Sequence, residues 1–240
     1  MKTKLILLML LCMTAKAACA QSASAQTQEP VKEKKFTITP RAGMAVSKFK
    51  GDFIYKNAEN IWGPALGVDA EYQFSSLMGV ALGVFYLQEG GKIDYHNRID
   101  LYGQVNDASN HRFRKKVVSV PLTLKMHTPV PGLSVFVGGG YERLLSCSYK
   151  ALYNVYLPPS MSQRMLYEKK ENADECFEKD GFFAVGGLSY VYKDVVLDLR
   201  YNYGISKNDN QSAIRNYWYS VGKKVKQHAL MITLGYQLHL

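Results

Sequence analysis

From residue 36 to the C-terminus, apolar and polar side chains alternate with a period of two. The pattern restarts eight times, over 36–49, 63–74, 78–90, 114–127, 133–145, 182–192, 195–205 and 228–240. A period of two puts successive side chains on opposite faces of an extended chain, so each segment reads as a β-strand. The segments exceed the about five or six residues common in water-soluble strands and suit the roughly 9–11 with which a tilted strand crosses hydrocarbon. Between them lie about 13, 3, 23, 5, 36, 2 and 22 residues. Long and short connections alternate throughout, as in an up-and-down barrel with tight turns at one end and long loops at the other. With eight strands, both termini fall at the tight-turn end.

The two faces differ in kind. In 195–205, Val195, Leu197, Leu199, Tyr201, Tyr203 and Ile205 alternate with Val196, Asp198, Arg200, Asn202 and Gly204. In 114–127, Val118, Val120, Leu122, Leu124 and Met126 alternate with Ser119, Pro121, Thr123, Lys125 and His127. Three features turn the apolar face outward. The polar face carries small residues (Gly43, Ala45, Gly67, Gly83, Gly138) that suit the narrow bore of eight strands. Its charges have both signs. Aromatic residues gather at the segment ends, Phe36, Tyr72, Phe74, Tyr190, Tyr192 and Tyr236 at one and Trp62, Tyr86, Tyr141, Phe182 and Tyr203 at the other, as amphipathic rings do at headgroup level. The expected fold is all-β: an eight-stranded antiparallel up-and-down transmembrane β-barrel over 36–240, with short periplasmic turns, long extracellular loops and both termini periplasmic.

The N-terminus fits that location. Lys2 and Lys4 precede the apolar run Leu5–Met13, and Ala18-Cys19-Ala20 follows. This is the layout of a secretory signal peptide over 1–20, with Ala23-Ser24-Ala25 as the alternative site and cleavage then after 25. Lys16, where a lipid-attachment site carries Leu, argues against anchoring at Cys19. Residues 21–35 are polar and aperiodic, a flexible periplasmic lead-in. Mean hydropathy is −0.17, and no later segment reads as a membrane helix. Cleavage at 20 removes Lys2, Lys4 and Lys16 and leaves 27 basic and 20 acidic residues, a charge of +7 that favours anionic partners. Export excludes nucleic acid. Of the four cysteines, Cys147 and Cys176 remain in the mature chain, an even pair and a candidate disulfide in an oxidising compartment.

Candidate chemistry is sparse. Arg41, Asp69, Glu71, Lys125, Glu142, Asp198 and Arg200 all project inward, where charges must pair because water is scarce; they read as an ion-pair network that plugs the lumen. The basic tracts Arg112, Arg114, Lys115, Lys116 and Lys223, Lys224, Lys226 sit at the bases of two long loops and suit the phosphates of outer-membrane lipid. Asp94 with His96, or Asp107 with His111, could activate water in principle, but such pairs arise by chance in polar loops. No catalytic motif, metal cluster or phosphate loop appears, so no enzyme activity, metal or cofactor is expected.

The last segment, ALMITLGYQLHL, resembles the assembly signal that ends outer-membrane barrels: Thr233, Gly235, Leu238 and Leu240 match it, with Leu in the final place where Phe or Tyr is usual. VSVPLTLKM and VVLDLRYNYGIS resemble the PorT-like "porin family" barrels of Gram-negative bacteria. That resemblance implies a fold, an outer-membrane location and recognition by the barrel-assembly machinery. It does not imply a pore, and a secretion role belongs to only some relatives. The reading that results is a non-enzymatic barrel with a plugged lumen whose loops meet lipid or a protein partner. An accessory role in envelope secretion or assembly is the alternative, and a small pore or barrel enzyme a distant one.

Overall fold

Eleven antiparallel strands form the computed structural model, which describes residues 36–51, 58–93, 97–101, 104–156, 164–206 and 225–240. They are β1 (Phe36–Lys50), β2 (Ile61–Gln73), β3 (Met78–Ile93), β4 (Asn97–Leu101), β5 (Gln104–His127), β6 (Leu133–Tyr156), β7 (Arg164–Asn172), β8 (Asp180–Tyr192), β9 (Val195–Gly204), β10 (Lys226–Tyr236) and β11 (Leu238–His239). Eight of them close a barrel in the order β1-β2-β3-β5-β6-β8-β9-β10. β10 returns to β1, with Arg41 opposite Gly235 and Lys50 opposite Lys226. Closure leaves the barrel wall without a sheet edge, which hydrocarbon could not satisfy. β11 continues the seam along the start of β1, and the Leu240 N–H donates to the Phe36 carbonyl at 3.0 Å. Both chain ends of the barrel therefore lie at its tight-turn end. There Lys193 (φ 46°) and Asp194 (φ 68°) join β8 to β9, the left-handed pair that matches the twist of a two-residue hairpin.

The outer wall carries a wide apolar band. Met44, Leu66, Leu82, Val84, Leu122, Val137, Leu188, Leu199, Ile232 and Leu234 are all exposed. Phe36, Tyr72, Phe74, Tyr190, Tyr192 and Tyr236 border it at the turn end, and Trp62, Phe182 and Tyr203 at the other. An apolar surface this continuous is stable against hydrocarbon and not against water.

Two of the expected long loops are largely strand. β5 begins at Gln104 and β6 ends at Tyr156, and each is 24 residues long. β4 pairs with the start of β5, and β7 with the end of β6. The reason is an inversion of the alternation. Up to Val118, β5 faces lipid with apolar residues and the bore with polar ones. Beyond it, Lys116, Arg114 and Arg112 face outward, while Val117, Phe113 and His111 are buried. The same exchange separates Met44 from Lys48 and Phe49 on β1. Past the band the strands continue as a water-facing barrel with an apolar interior, so the period persists but its sign reverses.

A β-bulge marks the changeover. Lys116 pairs with Ser146, but Val117 pairs with Leu144, so Leu145 is the extra residue of β6. Glu142 and Leu144 point inward below the bulge; Cys147, Tyr149 and Ala151 do so above it. One inserted residue shifts which parity faces in.

Candidate functional site

Buried ion pairs occupy the bore at several levels. At its middle, Arg41 of β1 lies 2.7 Å from Asp69 of β2 and 3.2 Å from Asp198 of β9, while Arg200 lies 3.0 Å from the same Asp69 and 3.4 Å from the same Asp198. Two guanidiniums and two carboxylates thus close a neutral ring, with all four side chains buried. Arg200 is further held between the rings of Phe85 (4.5 Å) and Phe136 (5.0 Å), a favourable placement for a desolvated cation. Gly83 makes the room: a Cβ there would strike Asp69 Oδ1 and the Phe85 ring. Toward the turn end, Lys125 Nζ donates to Glu71 at 2.8 Å, and His127 Nε2 stands 3.5 Å from the same carboxylate.

Lys115 departs from the lipid-contact reading. It is buried and pairs at 3.0 Å with the buried Glu89 of β3, with Glu142 in electrostatic reach. In a strand the run Arg114-Lys115-Lys116 cannot share a face, so the middle cation turns into the bore. Glu89 was missed for the complementary reason. It lies past the lipid band, where an inward carboxylate sits among apolar neighbours rather than on a polar face.

Above Lys115 the bore is capped by an aromatic cluster. Phe177 stacks on Phe49 (5.5 Å between centroids) and meets Phe113 edge-on (5.5 Å), and Phe113 touches Tyr149 (4.9 Å). The Lys115 ammonium lies 5.6 Å over the Phe177 ring. Phe177 follows a 3-10 turn, Asp174–Cys176, that is pinned to β6: the Ala173 N–H donates to the Cys147 carbonyl at 2.9 Å, and Asp174 Oδ1 accepts from the Cys147 N–H. Cys147 and Cys176 both join this cluster. In this structure both are free, buried thiols. Burial pushes Cys147 up to about 12 and Cys176 up to about 11.

The outward face of the extended sheet is basic. Cross-strand register places Lys92 opposite Arg112, Arg112 opposite Lys150, and Lys150 opposite Lys170, a row of cations over β3, β5, β6 and β7. Lys92 pairs with Glu59 at 3.0 Å, and Lys150 with Glu168. That hydrogen bond from Lys150 holds the Glu168 carboxyl below its usual range. On the far side of the barrel Lys226 lies over the Tyr203 ring at 5.1 Å. Lys223 and Lys224 lie outside the described residues, as do residues 1–35, Asp94 and His96. His111 is buried and shares a 2.6 Å hydrogen bond with the Tyr149 hydroxyl. Among the described residues, no group of three or more His, Cys, Asp or Glu is placed to hold a metal ion. Thr233 is buried in the bore, whereas Leu238 and Leu240 are exposed on the outer wall at the turn end.

Residues 6–237 match the family model described as outer membrane protein beta-barrel domain. Among solved structures, the chain is similar to the attachment invasion locus protein Ail of Yersinia pestis, in complex with the heparin analogue sucrose octasulfate. That likeness has 16% identity and a TM-score of 0.43, and covers 85% of this chain and 99% of that one. A major outer membrane protein of Thermus thermophilus is similar at 13% identity and a TM-score of 0.41, over 85% of this chain and 99% of that one. The outer membrane protein OprG of Pseudomonas aeruginosa is similar at 16% identity and a TM-score of 0.39, over 86% and 97%. No functionally curated protein matches the chain.

Proposed function

Because the chain belongs to the outer membrane protein beta-barrel domain family, we propose that it is a non-enzymatic barrel, sealed along its bore, that works through the surface it raises beyond the lipid. The observation that supports this reading is the set of side chains packed inside the bore: a neutral Arg–Asp ring at mid-height and an aromatic cluster above it. Eight strands leave little room once such side chains are in place. With the interior occupied, the free chemistry lies outside, on the long strands β5, β6 and β7. In this reading the signal peptide is removed, the tight turns and both termini face the periplasm, and the extended sheet faces the cell exterior. Lys116 and Lys226, just past the apolar band, then meet phosphates of the outer leaflet.

Planar-bilayer recordings of the refolded barrel test the sealed bore: the expected result is no steady conductance, and reproducible openings of nanosiemens size would overturn it. A protease site inserted between β6 and β7 tests orientation. Cutting on intact cells is expected; cutting only after the envelope is broken would reverse the assignment.

A further inference from the structure

Like charges placed directly opposite one another across a sheet oppose folding. The row Lys92–Arg112–Lys150–Lys170 sets four of them side by side on adjacent strands about 4.8 Å apart. Among the described residues, acids pair directly with two of the four, Glu59 with Lys92 and Glu168 with Lys150. Arg112 stands between those pairs, and neither it nor Lys170 forms an ion pair of its own among the described residues. The same holds for Arg114 and Lys116, which follow Arg112 at two-residue steps on the same face of β5. Glu171, beside them, is engaged by Lys169 at 2.6 Å.

These cations line a cleft of about 610 Å³ with Ser146, Ser148 and Asn172. One atom there is conspicuous: Arg114 Nε is shut off from solvent and has no hydrogen-bond partner. The Arg114 guanidinium thus has no protein acceptor at that nitrogen, and it is the rest of the group that lines the cleft. Planar guanidiniums grip oxyanions bidentately, ammonium groups add charge, and the serine hydroxyls and Asn172 amide complete a donor set suited to tetrahedral oxyanions. The cleft is too large for one such ion and offers cations at both walls.

We propose that this cleft on the outer face of β5, β6 and β7 binds a saccharide bearing two or more phosphate or sulfate groups, with Arg112, Arg114, Lys116 and Lys170 as its principal ligands. The proposal rests on the reading of the extended sheet as the working surface, and it names what that surface takes. The same oxyanion chemistry occurs on the headgroup of a phosphorylated glycolipid and on a soluble polyanionic sugar.

The test is calorimetric titration of the folded barrel, in uncharged detergent, with inositol hexakisphosphate. Saturable binding of one molecule per barrel is expected, weakening as salt rises. Arg114→Gln and the pair Arg112→Gln with Lys170→Gln should each weaken it by about tenfold or more, as loss of a charge-assisted hydrogen bond does. Lys48→Gln with Lys50→Gln, across the barrel on β1, removes as much charge and should change affinity by less than about threefold, the scale of nonspecific surface charge effects. All these side chains lie on the outer wall, so the variants keep the core intact, which circular dichroism will verify. Absence of binding, or equal loss in the β1 variant, would overturn the proposal. Neither result bears on conductance, so the sealed-bore reading fails or stands separately. Repeating the titration in nanodiscs assigns the source. Displacement by lipid A over phosphatidylcholine alone identifies a membrane glycolipid, and undiminished binding a soluble sugar; both support the site.

Discussion

Arg41 and Asp198 meet at 3.2 Å across the β1–β10–β9 wall, although β10 separates their strands. Arg41 reaches past β10 because its partner there, Gly235, has no side chain: a Cβ at Gly235 would come within 2.9 Å of Arg41 Cγ. The contact closes the ring through Asp69 and Arg200, and its neutrality makes the ring sensitive to the loss of any one member.

Arg41→Ala should therefore leave the ring with an excess negative charge in a dry bore. The expected cost is about 3–5 kcal/mol, as for other broken buried pairs, read as a lowered urea midpoint in lipid. Conductance should stay absent. A variant of unchanged stability that passes ions would mean that the charges line a path.

Lys115 and Glu89 allow a double-mutant cycle. Lys115→Met strands a buried carboxylate and should destabilise by about 3–5 kcal/mol, whereas Lys115→Met with Glu89→Met should recover most of that loss. A neutral single variant would show that Lys115 faces outward with Arg114 and Lys116.

Cys147 and Cys176 are held in one cluster by a turn bonded to β6, and export would place them in an oxidising compartment. Protein purified without reductant is expected to carry the bridge, worth about 3–4 kcal/mol in the chain-entropy picture. Two alkylatable thiols after denaturation would exclude it. The reduced form has its own signature. Its folded thiols titrate near 12 and 11, above the ordinary 9.0, so the unfolded chain releases protons first as pH rises. Stability of reduced relative to bridged protein is then constant below pH 9 and falls between 9 and about 12.

Leu238 and Leu240 end the seam on the outer wall. Replacing both with Asp puts charge in the lipid band beside the β1–β11 pairing and should abolish outer-membrane insertion, assayed by fractionation and heat-dependent gel mobility. A double variant that still inserts would remove these two residues from the assembly signal.

The eight barrel strands were legible because lipid enforces a strict alternation, and turns such as Lys193-Asp194 punctuate it. The inward set from Arg41 to Arg200 was legible for the same reason, since parity alone assigns a face. What sequence reasoning missed lies beyond the band. β7 and the outer halves of β5 and β6 carry Phe113 and Tyr149 inward and Arg112 and Lys150 outward, which looks like a polar loop when lipid-facing residues are the template. Lys115 was misplaced because a basic tract was read as a unit. The cleft could not be read from the sequence at all, since Lys170 joins Arg112 only through two steps of cross-strand register.

The Leu145 bulge has a consequence for how this protein can vary. Below it, a one-residue insertion in β6 would exchange bore and lipid faces along the strand. At it, such an insertion is already present and absorbed. The barrel beneath and the raised sheet above are thus joined by a phase-shifting coupling, and each can drift in length and composition without upsetting the other's alternation. A chimaera that exchanges the β3–β7 part above this seam, from Gln88 through Lys116 and from Ser146 to Asp180, should inherit new surface chemistry on an unchanged membrane anchor.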